Sequence, residues 1–236
     1  MTISPPRTAR RIAVIVAHPD DEVLGCGGTI RRHTLAGDEV WLVILADGET
    51  SRDAGAGEKE IADRESKLRS AAEILGIAHH TTHRLPDNRL DTVPLLDLTK
   101  MVERHIREIA PVAVYTHHAG DLNVDHRRVH QAVVTTCRPQ PGCTVRKLAF
   151  FEIPSSTEWQ TPSSGLSFAP NWFVDISATL ETKLKALKAY QGEMRPWPHA
   201  RSYEAVEHLA RWRGATIGCA AAEAFVTGRD IWSNDN

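Results

Sequence analysis

The sequence predicts an α/β chain, a Rossmann-like, mostly parallel sheet with helices on both faces and a less regular C-terminal part. Three observations carry this. Short apolar runs alternate with helical periodicity along most of the chain; several runs end in glycine or proline; and the two densest polar clusters each directly follow an apolar run. Ile12-Ala-Val-Ile-Val16 reads as a buried strand. Val23 to Ala36 follows as a helix closed by Gly37, and Glu39-Val-Trp-Leu-Val-Ile-Leu-Ala46 as a second strand. Asp47-Gly48 opens a polar, Gly-rich loop through Gly57, placed to cover a site. Glu58 to Leu75 is helical up to Gly76, and Thr82 to Leu85 is a short third strand. Leu95, Leu98, Val102, Ile106 and Ile109 keep helical spacing until Pro111, after which Val112 to Thr116 starts another strand.

The second half is harder to read. Lys147 to Ile153 and Trp172 to Asp175 read as strands flanking a Pro/Ser-rich loop, Ser177 as the cap of a helix carrying Leu180, Leu184 and Leu187, and Ser202 as the cap of a last helix. The length of 236 residues fits a single domain over 1–236.

Composition excludes several classes. There are 28 Lys plus Arg against 30 Asp plus Glu, a net charge of −2, which argues against a sequence-independent nucleic-acid binder. No apolar run reaches membrane-spanning length, and the first residues lack the apolar region of a secretory signal, so the expected location is cytoplasmic. The four cysteines, Cys26, Cys137, Cys143 and Cys219, form no C-x-x-C pair and read as small thiols in or near the core.

Chemistry concentrates in two places. Ala17-His-Pro-Asp-Asp-Glu22 ends the first strand, and a histidine with two carboxylates is a poor core but a good cation cage. His117-His-Ala-Gly-Asp-Leu-Asn-Val-Asp-His126 follows the strand at Val112 to Thr116. Both sit at carboxyl ends of predicted parallel strands, where open α/β sheets bind ligands. His18, Asp21 and a histidine of the second cluster would supply three N/O ligands and leave one position open, the pattern of catalytic zinc. His130, four residues beyond His126, is the alternative third ligand. Asp125 is also a natural cap for the helix beginning there. A rival reading is nucleotide binding, because Gly25-Cys-Gly27-Gly28 follows a strand and Asp47 ends the next; the spacing fails, since Ile30 takes the place of the third glycine.

A-H-P-D-D-E at 17 to 22 and D-L-N-V-D-H-R at 121 to 127 resemble the LmbE-like, or PIG-L, zinc-dependent N-deacetylases. The likeness extends to G-G-T-I at 27 to 30, to R-E-S-K-L-R-S-A-A-E-I-L-G at 64 to 76 and to P-H-A-R-S at 198 to 202. The resemblance implies that His18, Asp21 and His126 bind the metal, zinc with iron(II) or cobalt(II) as substitutes. It makes Asp20 the general base and Asp125 an orienting group. Relatives commonly carry histidine at the position of Asn123. Either Asn123 is a neutral oxyanion donor, or His117, His118 or His199 takes the charged role. Arg64, Asp87 and His199 are implied as substrate-binding residues, with Arg138, Glu152 and Trp159 as further candidates. The implied reaction is hydrolysis of the acetamide of an N-acetylated, GlcNAc-type amino sugar or its conjugate. The alternatives are amide hydrolysis on a thiol conjugate or secondary metabolite, and a noncatalytic sugar- or nucleotide-binding relative. The implied partner is thus a small-molecule amino sugar, and the likeness favours a homo-oligomer.

Overall fold

The computed structural model describes residues 9–48, 58–161 and 166–232. Its elements alternate along the chain as β1 (Arg11–Val16), α1 (Asp21–Leu35), β2 (Glu39–Ala46), α2 (Glu58–Leu75), β3 (His79–Leu85), α3 (Leu95–Ile109), β4 (Ala113–His117), α4 (Val124–Thr136) and β5 (Lys147–Phe151). There follow β6 (Trp172–Asp175), α5 (Leu180–Leu187), α6 (Tyr203–Ala215) and β7 (Ala222–Asp230). The strands form one seven-stranded sheet in the order β3-β2-β1-β4-β5-β7-β6. The first five run parallel, and β7 lies antiparallel between β5 and β6. The expected architecture is therefore present, with an antiparallel strand that the sequence reading did not anticipate. The loop between Asp47 and Gly57 lies, beyond Gly48, outside the described residues.

Strand periodicity divides the core in two. Ile12, Val14 and Val16 of β1 face one cluster, which includes Leu68 and Leu75 of α2 and Leu187 of α5. Ala13, Ile15 and Ala17 face the other, with Leu98 and Val102 of α3 and Val129 and Val133 of α4. Helices thus cover both faces, as parallel strands require. Cys26 and Cys137 are buried, Cys143 and Cys219 are partly so, and all four are free thiols. No helix among the described residues is long and apolar enough to cross a membrane.

Helix α1 breaks at Cys26, whose φ of −148° is not helical. A break orphans carbonyls on one side and N–H groups on the other. Both ends are buried, and a buried ion pair closes them. Glu223 of β7 accepts from the N–H of Gly28 (2.9 Å) and of Thr29 (2.7 Å), while Lys183 of α5 donates to the carbonyl of Leu24 (2.9 Å) and to Glu223 Oε1 (2.6 Å). The anion sits at the start of the second half-helix and the cation at the end of the first, as their dipoles favour. Replacing Lys183 with methionine leaves Glu223 charged and buried, and should destabilise the fold by about 3–5 kcal/mol in urea unfolding.

The caps partly differ from expectation. Ser202 caps α6 by accepting from the N–H of Ala205 (3.0 Å), as its residue type suggests. The residue before α5 is Thr179, not Ser177, whose hydroxyl instead donates to Asp175.

Candidate active site

In this strand order the chain leaves β1 toward β2 on one side and returns to β4 on the other. The carboxyl ends of β1 and β4 therefore flank the topological switch point, the place where doubly wound sheets open a crevice. The two polar clusters of the sequence meet there. A cleft of about 190 Å³ is lined by His18, Asp20, Asp21, Arg64, Asp87 and Asn123, among others, with His126 at its base. This is smaller than the roughly 300 Å³ of a typical ligand pocket, so it admits the reacting end of a substrate rather than a whole conjugate.

His18, Asp21 and His126 are all buried and offer ligand atoms within 4.8 Å of one another. Nδ1 of His18 lies 3.4 Å from one oxygen of Asp21, and Nε2 of His126 lies 3.4 Å from the other. A tetrahedral site with bonds of about 2.1 Å has ligand separations of about 3.4 Å, so the set fits a divalent cation such as zinc. The remaining ring nitrogens meet carboxylates: Nε2 of His18 is 3.0 Å from Asp125 and 3.0 Å from Asp87, and Nδ1 of His126 is 3.1 Å from Asp121. Carboxylates behind the imidazoles fix ring orientation and raise ligand basicity. His18, Asp87 and Asp125 form a second possible group, but Asp125 is already committed, accepting from the N–H of Asn88 (2.7 Å) and of Leu90 (2.9 Å).

Electrostatics agree with this geometry. Burial pushes the His126 pKa down, yet Asp21 and Asp121 more than reverse that and raise it to about 9. Burial likewise pushes Asp21 up, and the charge of His126 with the hydrogen bonds of His126 and His18 holds it well below the usual range. Such a site demands positive charge.

Asp20 sits in the turn between β1 and α1 with a φ of 116°, a left-handed conformation costly for a side chain other than glycine. The turn is held from both sides. Its N–H donates to Glu22 (3.0 Å), which also accepts from the Tyr190 hydroxyl (2.8 Å), and its carbonyl accepts from the N–H of Val23 and Leu24. This strain points the Asp20 carboxylate into the cleft beside Asp21. Burial raises its pKa to about 6, against the lowering charge of Arg201.

Asn123 caps α4, its side-chain oxygen accepting from the N–H of Asp125 (2.8 Å) and of His126 (3.4 Å), while its amide donates to Asn88 (3.2 Å). Asp125, expected as that cap, lies inside the helix and turns its carboxylate to His18 instead. His117 and His118 do not line the cleft. Nε2 of His117 accepts from the N–H of Ala17 (2.9 Å), Nδ1 of His118 accepts from that of Gly120 (3.1 Å), and burial lowers both pKa values. His130 faces away, bonded to the carbonyl of His117 (2.9 Å).

Arg64 is buried, donating to the carbonyl of Pro19 (2.8 Å) and pairing with Glu193 (2.5 Å). Asp87 reaches the cleft but packs against the His18 ring. His199 does not line the cleft; it packs on Trp159 and accepts from the N–H of Arg201 (3.0 Å). Arg201 lines it instead, 3.3 Å from Asp20 and 3.0 Å from the Ser155 hydroxyl. The sequence reading missed Arg201, Glu193 and Asp121, although Arg201 stands inside the quoted P-H-A-R-S stretch. Glu152 is paired with Arg213 (2.7 Å), and Arg138 bonds its own helix end at Thr135 (2.8 Å). The glycines of the rival nucleotide pattern serve packing: a Cβ on Gly25 would stand 2.3 Å from Phe151, and one on Gly28 2.8 Å from Ile176.

Residues 13–137, which carry both clusters, match the family described as PIG-L, GlcNAc-PI de-N-acetylase. The chain belongs to the PIG-L family. Among PIG-L relatives it is 32% identical to the uncharacterized deacetylase YaiS of Escherichia coli K12, over 80% of this chain and 95% of that protein. It is 26% identical to the diacetylchitobiose deacetylase of Thermococcus kodakarensis, over 80% of this chain and 72% of the other. The fold is shared more widely. The structure of GalB, the 4-carboxy-2-hydroxymuconate hydratase of Pseudomonas putida KT2440, superposes with a TM-score of 0.77 at 21% identity, covering 95% of this chain and 98% of that one. The same fold thus accompanies different chemistries, and the site's own residues must decide among them.

Proposed function

We propose that this PIG-L protein is a metal-dependent N-deacetylase that hydrolyses the acetamide of an N-acetylated, GlcNAc-type amino sugar or its conjugate. The observation that carries the reading is the convergence of His18, Asp21 and His126 on one tetrahedral-sized cage, with the Asp20 carboxylate beside it in the same cleft. Relatives named as deacetylases, one of them acting on diacetylchitobiose, support the reaction and the amino-sugar class.

His18, Asp21 and His126 would hold zinc, or iron(II) or cobalt(II) in its place, oriented from behind by Asp125 and Asp121. A cation there supplies Lewis acidity toward the acyl oxygen and lowers the pKa of water to about 7. Asp20 takes the proton of the attacking water and returns one to the departing amine. Its buried, strained position keeps it poised for this, and Arg201 and Arg64 hold its charge. Asn123 lends an amide hydrogen to the developing oxyanion. Arg64 with Glu193, Asp87 and the loop carrying His199 and Arg201 shape the sugar-binding rim.

Two measurements test this. Purified protein, stripped with a chelator and reloaded with zinc, iron(II) or cobalt(II), should release acetate from a panel of N-acetyl amino sugars only in the metal-loaded form. Acetate release unaffected by chelation, or none from any member of the panel when loaded, would refute the reading. The second concerns Asn123, whose two functions separate. Serine keeps the cap but has no amide, so Asn123→Ser should retain the wild-type melting temperature and lose about 100- to 1000-fold in kcat. Near-normal kcat would leave Asn123 a cap alone.

A further inference from the structure

At the opposite edge of the sheet, the amino ends of β1, β4 and β5 and the second half of α1 enclose a cavity of about 440 Å³, larger than the catalytic cleft. Four cations line it, Arg10, Arg32, Arg146 and Lys147, against two carboxylates, Asp38 and Asp230, an excess of two positive charges. Arg10 is paired with Asp38 (2.9 Å), and Lys147 with Asp230 (2.6 Å) while lying 3.9 Å over the Trp172 ring. Arg32 donates to the backbone carbonyl of Asp175 and its charge also acts on the Asp175 carboxylate, which leaves Arg146, with no ion pair among the described residues, as the open cation. Between these cations the wall is apolar, from Ile12, Val112 and Trp172.

We propose that this cavity is a second ligand site for a small organic anion. Its carboxylate or phosphate meets Arg146 with Arg32 beside it, and its apolar body lies against Val112 and Trp172. The volume lies within the range of small-molecule sites, about 300–1,000 Å³. The site is separate from the catalytic cleft, with the length of β1 between them.

Calorimetric titration of the metal-loaded protein with 4-phenylbutyrate, and with neutral 4-phenylbutan-1-ol, tests the proposal. The acid should bind at least about tenfold more tightly than the alcohol, and Arg146→Glu should weaken it by a similar factor, the loss of one charge-assisted contact. Acetate release by Arg146→Glu should equal that of the wild type. Equal binding of acid and alcohol, or an unchanged affinity in Arg146→Glu, would overturn the proposal.

Discussion

Asp20→Asn is expected to lower acetate release by about 100- to 10,000-fold, the usual worth of a general base, while leaving metal content at the wild-type level. The substitution isolates one property. Asparagine tolerates left-handed backbone at least as well as aspartate, so the turn with φ of 116° at position 20 survives. Its amide oxygen can still face Arg201, 3.3 Å away in the native protein. What disappears is a carboxylate able to accept a proton from water. Metal content by elemental analysis and kcat from steady-state assays, taken together, decide the matter. Metal loss as severe as in Asp21→Ala, or turnover within a few-fold of the wild type, would remove Asp20 from the role of base.

The position of Asp20 also shows what a sequence can reveal of such a site. Local signals were sufficient for the two clusters, because the apolar run before each one fixes a buried strand, and parallel strands put their carboxyl ends on one edge. Residue type and strand-end placement point to His18, Asp21 and a histidine of the second cluster, and the family resemblance selects His126 among them. The side chains around them carry no such mark. Asp121 looks like any loop aspartate until the fold brings His126, Ser156 and Thr157 around it. Arg201 and Glu193 reach the cleft from loops far along the chain, and no periodicity marks a residue whose function depends on a contact 181 positions away. In the P-H-A-R-S stretch the resemblance selects His199, whereas the guanidinium of Arg201 is the group that spans to Asp20.

The fold was legible where one physical signal dominated. Strands β1 and β2 are buried over nearly all their length and read as apolar runs, and β4 continues the apolar start at Val112 to Tyr115. Strand β7, Ala222–Asp230, escaped because its buried part is only Ala-Glu-Ala-Phe and the rest is polar and partly exposed. The glutamate in it reads as a surface residue, yet Glu223 is buried to close the broken helix α1. The break itself lies in Gly-Cys-Gly-Gly, a stretch that suggests phosphate binding in isolation. Only the rings of Phe151 and the branched chain of Ile176, contributed from β5 and the segment after β6, reveal why small residues are needed there.

Asp21→Ala and His126→Ala should lose metal and turnover together, the counterpart to Asp20→Asn. Each removes one of three donors, and two remaining donors leave a site open to solvent on half its coordination sphere. The loss should exceed the roughly 10- to 100-fold in metal affinity expected for a carboxylate that merely orients a ligand. Asp125→Asn supplies that smaller effect for comparison: its one oxygen can stand in for Oδ2, keeping the N–H of Asn88 and facing His18 as a neutral group, while the Leu90 N–H loses the acceptor it has in Oδ1. His130→Ala is the matching control: that ring bonds the His117 carbonyl and packs on Phe150, so its removal should leave metal content unchanged. Competition against a chromogenic chelator ranks the four variants. The order expected is His130→Ala equal to the wild type, Asp125→Asn weaker, and Asp21→Ala with His126→Ala weakest. If His130→Ala released the metal and His126→Ala kept it, the third ligand would lie one helical turn further along α4, and the tetrahedral cage at the ends of β1 and β4 would have to be redrawn.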